Sequence, residues 1–178
     1  MKKLIPFLML MAAGISSALA QGTVTFVNSG NFPTTADRLV YFDPGTGVAV
    51  PLVGTNFVAQ LFFGDSATSL QAHTAAPSRF RVPTTLSPGT WSGATRTLTG
   101  FGTGSTVVMQ VRVWDENNPS IVANSATFNY TVPAPGSPAQ QFLMDNFRMF
   151  TYVVPEPSVI GLGLLGAGAL FLLRRRKA

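Results

Sequence analysis

The sequence contains no cysteine and a single histidine, His73, among its 178 residues. Without cysteine, no disulfide can stabilise the fold, so packing alone must hold it together. A nucleophilic triad needs a basic side chain beside its serine or cysteine, and a zinc site needs three or four histidine, cysteine or carboxylate ligands. Neither constellation is visible. We therefore expect no metal, no cofactor and no catalytic residue, and we expect the protein not to be an enzyme.

Charged residues are also scarce, at 11% of the chain, although the net charge is +5 and the pI is about 10.3. Between residues 21 and 154, six arginines are balanced by six acidic residues, so this stretch is neutral. The excess positive charge lies at the two ends, in Lys2 and Lys3 and in residues 174–177. The basic pI therefore does not indicate a nucleic-acid partner.

The first twenty residues have the features of a secretory signal peptide. Two lysines precede an apolar stretch at residues 4–13, and the small residues Ala18 and Ala20 occupy the positions that a signal peptidase must fit. The apolar stretch is too short to span a bilayer comfortably. We predict a signal peptide at residues 1–20 that the general secretion machinery recognises and signal peptidase removes after Ala20.

Residues 21–153 form the predicted body of the protein, and their hydrophobic residues alternate with a period of two. The clearest case is residues 106–115, where Val107, Met109, Val111 and Val113 share one face of a predicted strand. Residues 125–132 alternate in the same way. Five further segments rich in Val, Phe, Thr and Tyr are also predicted strands: 23–28, 38–42, 56–63, 96–101 and 147–153.

Turn signals rich in Pro, Gly, Asp and Asn separate these segments, and no helical pattern persists between them. The Ala-rich stretch 66–77, which contains His73, is expected to be a loop with at most one turn. The sequence therefore predicts an all-β body, an antiparallel β-sandwich or jelly-roll-like fold.

Two features of the body leave a functional and a structural interpretation open. Trp91 and Trp114 could face a ligand as platforms for a saccharide, or each could cap one end of the core. Asp115 and Glu116 form the only adjacent acidic pair, which could serve a hydrolase or a calcium site, or could lie in a solvated turn before Asn-Asn-Pro.

The C-terminal segment 154–178 differs in character from the body. Pro155 and Pro157 flank Glu156 and force an extended, exposed chain, because each proline disfavours helix at the residue before it. Residues 159–173 are all apolar or glycine, about 22 Å long as a helix at roughly 1.5 Å per residue. A basic cluster follows, formed by Arg174, Arg175, Arg176 and Lys177, which would remain in the cytoplasm. We predict a single, weak transmembrane helix that holds the protein temporarily.

This order of Pro-Glu-Pro, apolar segment and arginine cluster resembles the PEP-CTERM sorting signal of Gram-negative bacteria. The resemblance implies recognition by exosortase, a membrane-embedded cysteine transpeptidase, with processing near Pro155, Glu156 and Pro157. It also implies an inner-membrane intermediate, followed by delivery to the cell surface or the exopolysaccharide matrix.

Three functional hypotheses follow. The first is a non-enzymatic surface or matrix protein that exosortase sorts and processes. The second is a carbohydrate-binding module for self-produced polysaccharide, which would make exopolysaccharide a partner through Trp91 and Trp114. The third is a surface hydrolase that uses Asp115 or Glu116.

Overall fold

The computed structural model describes residues 21–29, 38–82 and 87–154. Within these residues the chain forms eleven β-strands and one short 3₁₀ helix, Ala139–Phe142. The strands are β1 (Gln21–Phe26), β2 (Val40–Asp43), β3 (Val50–Pro51), β4 (Phe57–Gly64), β5 (Gln71–Ala72), β6 (Ser78–Arg79), β7 (Ala94–Gly102), β8 (Thr106–Asp115), β9 (Asn118–Asn124), β10 (Phe128–Thr131) and β11 (Phe150–Val153). The prediction of an all-β body is confirmed.

The strands belong to three sheets. In the first, β1 pairs with β7. In the second, of six strands, β4 and β8 are central: β8 pairs on its other side with β9 and β10, and β4 pairs with β5 and β6. In the third, β2 lies between β3 and β11. All of these pairs are antiparallel except β2 with β11, which run parallel.

Alternation of side chains builds the central sheet. Val107, Met109, Val111 and Val113 of β8 are all fully buried, as predicted, because they point to one face of the strand. Strand β4 pairs with β8 in continuous register, from Phe57 opposite Asp115 to Gly64 opposite Val108. The hydrophobic strands β4 and β8 thus lie side by side at the centre of the six-stranded sheet.

The predicted strand at 125–132 is shorter in the structure. Phe128, Tyr130 and Val132 are buried as expected, but Ala126 is exposed and β10 begins only at Phe128. Ser125 is the reason: its backbone N–H donates to the carbonyl of Val111 at 2.8 Å, and its hydroxyl accepts the Val111 N–H at 2.9 Å. The hydroxyl replaces a backbone acceptor, so pairing along β8 shifts there.

One hydrophobic core collects residues from all three sheets, including Val24 of β1, Leu61 of β4 and Tyr152 of β11. Trp91 is its largest fully buried side chain. The Trp91 ring packs against three phenylalanine rings at centroid distances of 5.0 to 5.8 Å: Phe26, Phe80 and Phe147. Burial of such rings supplies most of the hydrophobic stabilisation that a chain without disulfides requires.

The predicted signal peptide and the predicted transmembrane helix lie outside the described residues. None of the secondary structure within the described ranges is a helix long and apolar enough to cross a membrane.

Candidate functional site

The body folds right up to the predicted sorting motif. Strand β11 ends at Val153, and the backbone N–H of Val154 donates to the carbonyl of Asp43 at 3.0 Å. The carboxylate of Asp43 in turn accepts the backbone N–H groups of Gly45, Thr46 and Gly47 at 2.9, 2.9 and 3.1 Å. The turn at residues 45–47 thus fixes Asp43 at the end of β2, the parallel partner of β11. Asp43 in turn holds Val154, the residue immediately before Pro155.

The residues predicted for processing lie outside the described part of the chain. They are Ala18 and Ala20 at the signal-peptidase site, the motif Pro155, Glu156 and Pro157, and the basic cluster Arg174, Arg175, Arg176 and Lys177.

Trp91 does not fit the ligand-facing interpretation, because its side chain is 0% exposed. The indole N–H donates to the carbonyl of Phe26 at 3.2 Å, and the backbone N–H donates to the Asn28 side chain at 3.1 Å. The ring is therefore enclosed by protein and satisfied by internal hydrogen bonds. Trp91 is thus a buried member of the core, which agrees with a structural role for this residue.

Trp114 is partly exposed and lies with Gln110 and Arg112 on the face of β8 that points away from the core. The guanidinium of Arg112 lies 4.1 Å from the centroid of the Phe62 ring, a cation–π contact across the β4–β8 pair. This surface offers an aromatic ring to solvent.

Asp115 and Glu116 lie at the turn between β8 and β9. The Asp115 carboxylate accepts the backbone N–H of Asn117 at 2.8 Å, and the Glu116 carboxylate forms an ion pair with Arg79 at 2.7 Å. Neither residue lines the two clefts described below. Both acids lie at this turn and each has a partner within the fold. These contacts favour the structural interpretation of the pair.

His73 is held by internal hydrogen bonds. Its Nε2 donates to the carbonyl of Thr97 at 3.1 Å, and its Nδ1 accepts the backbone N–H of Ala75 at 3.0 Å. These contacts define the neutral tautomer, and partial burial lowers the pKa of His73, with the nearby charge of Arg96 acting in the same direction. The Gln60 side-chain amide also donates to the carbonyls of His73 and Ala75. His73 therefore ties the predicted loop to β7.

Beside His73 a cleft of about 410 Å³ opens between the β1–β7 sheet and the six-stranded sheet. We call it the inter-sheet cleft. One wall is the row Thr97, Thr99 and Phe101 of β7, and the facing wall carries Phe63 and Asp65 at the end of β4. The remaining lining residues are Gly64, Ser69, Gln71, Ala72, His73 and Thr74. Sequence reasoning missed this cleft because its walls come from three separate segments.

A second cleft of about 340 Å³ lies beside β10 and contains Asn129, Gln141 and Asp145. The hydroxyl of Tyr130, on its floor, donates to the carbonyl of Thr23 at 2.7 Å. Burial raises the pKa of Tyr130, and the charge of Asp145 adds to that effect. The phenol is thus a neutral structural donor that joins β10 to β1.

Within the described ranges, no group of three or more histidine and carboxylate side chains is placed to hold a metal ion.

Comparison with known proteins identifies the C-terminal segment. The family model of the PEP-CTERM protein-sorting motif matches residues 153–177, a range that contains the Pro-Glu-Pro sequence, the apolar segment and the basic cluster. No curated protein and no solved structure matches the chain. The motif implies exosortase-dependent sorting of an exported protein. The chain therefore carries a PEP-CTERM protein-sorting motif, and this motif begins at the last residue of β11.

Proposed function

We propose that the protein is an exported, non-enzymatic component of the cell surface or the exopolysaccharide matrix, sorted and processed by exosortase through its C-terminal motif. The match of residues 153–177 to the sorting motif carries this proposal. The secretion machinery and signal peptidase would act first, at residues 1–20. The apolar segment 159–173 would then hold the body at the inner membrane until processing near Pro155, Glu156 and Pro157.

The geometry at the end of β11 adds a constraint on that intermediate. Val154 is hydrogen-bonded to Asp43, and only residues 155–158 separate it from the apolar segment. Even at full extension, four residues of any chain can span only about 13 Å at roughly 3.3 Å each. The body would therefore sit directly over the membrane, and exosortase would have to act on a short, proline-stiffened stretch beside the end of β11.

The side chains of the body support the non-enzymatic part of the proposal. The only histidine is engaged at both ring nitrogens. Of the two adjacent acids, Asp115 accepts the backbone N–H of Asn117 and Glu116 forms an ion pair with Arg79. The surface hydrolase is the weaker hypothesis for this reason. We further propose that the sheets stack as a β-sandwich around their common core.

Variants of the motif test the sorting proposal. In cells that carry exosortase, replacement of Pro155, Glu156 and Pro157 by alanine should leave the protein in the membrane fraction at its unprocessed mass. A matched control, alanine at Ser137 in the exposed loop before Ala139, should be delivered to the surface like the native protein. Surface delivery of the triple variant at the native rate would refute the proposal.

Carbohydrate binding remains the second candidate function. Trp91 no longer supports it, whereas Trp114 still presents a partly exposed ring beside the Arg112–Phe62 contact. Substitution of Trp114 by alanine tests this surface, and it forms one arm of the experiment described next.

A further inference from the structure

We infer that the inter-sheet cleft is a binding site for a neutral pyranose sugar, in the form of a monosaccharide or one residue of a glycan chain. This inference goes beyond the sorting function and does not rest on it. The cleft, at about 410 Å³, falls within the roughly 300–1,000 Å³ typical of small-molecule sites.

Two phenylalanine rings, one from each wall, meet inside the cleft and form the apolar surface that we call its floor. Phe63 and Phe101 meet edge to face with their centroids 6.0 Å apart, and both are only partly buried where they pack against the core. His73 extends this aromatic surface, with its ring centroid 5.8 Å from that of Phe63. A pyranose ring has one face made of C–H groups, and such a face packs well on partly exposed aromatic rings.

Polar side chains line the cleft together with these rings. The Asp65 carboxylate accepts hydrogen bonds, whereas the Gln71 amide and the hydroxyls of Thr97 and Thr99 both donate and accept. Thr97 and Thr99 are exposed residues that alternate along β7 with the buried Arg96 and Leu98. An aromatic floor with a rim of mixed donors and acceptors suits a polyhydroxylated ring better than a purely apolar ligand.

The walls are fixed before any ligand binds. Arg96 donates to the carbonyl of Ala76 at 2.8 Å and to the Ser78 hydroxyl at 3.1 Å, which fastens the segment after His73 to β7. On the other side, the Ser66 and Ser69 hydroxyls are 2.9 Å apart and close the loop between β4 and β5. A preorganised site loses less conformational entropy on binding.

The charge of the cleft selects among sugars. Asp65 is the only lining residue that is charged at neutral pH, because His73 is held in its neutral form. Arg96 lies behind His73, is buried, and donates to Ala76 and Ser78. The carboxylate of a uronic acid would therefore meet Asp65 without a compensating cation in the lining, and neutral sugars are favoured.

Calorimetric titration of the full-length protein, in a zwitterionic detergent without a sugar headgroup, tests the inference. The probes are the methyl glycosides of glucose, galactose and mannose, together with glucuronic acid. We expect saturable binding of at least one methyl glycoside. Because an isosteric Thr99→Val leaves a sugar hydroxyl unpaired, it should weaken that binding about fivefold or more.

Matched variants separate the cleft from other surfaces. Thr95→Val changes an exposed threonine of β7 that does not line the cleft, and it should leave binding unchanged. Trp114→Ala examines the other candidate surface, on the outer face of β8. Glucuronic acid should bind more weakly than the neutral methyl glycoside. Asp65→Asn should reduce the difference between these two affinities.

Three results would overturn the inference. The first is the absence of saturable binding for all of the neutral probes. The second is binding that Thr99→Val and Asp65→Asn leave untouched. The third is binding that Trp114→Ala abolishes while the cleft variants retain it, which would place the sugar on the outer face of β8 instead. Sorting by exosortase is unaffected by any of these outcomes.

Discussion

Asn28 offers the sharpest test of the interactions that hold the fold together. It is completely buried, and its side-chain amide donates to the carbonyls of Arg38 at 2.9 Å and Gly89 at 2.8 Å. Its side-chain oxygen accepts the backbone N–H of Trp91 at 3.1 Å. One side chain thus satisfies three backbone groups in two other segments of the chain, at Arg38 and at residues 89–91.

The loss in free energy of unfolding caused by Asn28→Ala depends on the buried backbone groups that it leaves without a partner. The Gly89 carbonyl retains the N–H of Val40 at 3.0 Å, whereas the Trp91 N–H loses the Asn28 side-chain oxygen that accepts it. A buried polar group that loses its partner costs about 1–3 kcal/mol. The Trp91 N–H alone gives an expected loss of about 1–3 kcal/mol, against a typical domain stability of about 5–15 kcal/mol.

Urea denaturation measures this loss, with the fluorescence of the buried Trp91 as the signal. Asn28→Asp is nearly isosteric, yet at pH 7 it should also destabilise strongly, because an oxygen would replace the amide donor that faces two carbonyls. Asn117→Ala, at the exposed β8–β9 turn, is the control and should change stability by less than about 0.5 kcal/mol. A loss below about 1 kcal/mol for Asn28→Ala would refute the reasoning.

Three further predictions concern stability. Since folding lowers the pKa of His73, the neutral ring contributes fully to the stability of the fold above about pH 6.5, and this contribution should decline as the pH falls below that value. His73→Gln, in a chain without other histidines, should therefore reduce the change in Tm between about pH 8 and about pH 5. Gly64→Ala should lower the urea midpoint by the equivalent of about 1–3 kcal/mol, because its Cβ would lie 2.5 Å from the Ser69 carbonyl oxygen, and an unchanged midpoint would contradict this. Asp43→Ala should speed hydrogen exchange at the amides of residues 45–47, and unchanged protection there would show that the carboxylate is not their anchor.

Local hydrophobic periodicity predicted the central strands because burial on one face of a sheet leaves a period of two in the sequence. Val107 and Met109 follow that rule, and so do Phe128 and Tyr130. The same rule failed at Ala126, where Ser125 bonds to Val111 by backbone and hydroxyl together. A side chain that substitutes for backbone pairing leaves no periodic signal.

Strand β9 was missed for a related reason. Its first residues, Asn118 and Pro119, have turn propensity, and the pairing jumps from Asn118 opposite Asp115 to Val122 opposite Trp114. Residues 119–121 therefore lie in a bulge without partners in β8. The turn propensity of Asn118 and Pro119 agrees with this irregular start of β9. It contains no information about the pairing of residues 122–124 with β8.

The site predictions show the same difference between local patterns and long-range contacts. The sorting motif is contiguous, so Pro155, Glu156 and Pro157 could be identified from their order alone. The position of Trp91 depends on Phe26, Phe80 and Phe147, which lie far apart in the sequence. The inter-sheet cleft likewise depends on how two sheets meet. Local patterns carry no information about contacts of this kind.

The most direct test of the sorting account is the intact mass of the mature protein from cells with and without exosortase. With the enzyme present, the account predicts a protein that lacks residues 1–20 and is cut near Pro155, Glu156 and Pro157, recovered from the cell surface or the matrix. Without the enzyme, the C-terminal segment should remain attached and the protein should stay with the membrane. A C-terminus intact through Arg176 in cells that carry exosortase would contradict the account.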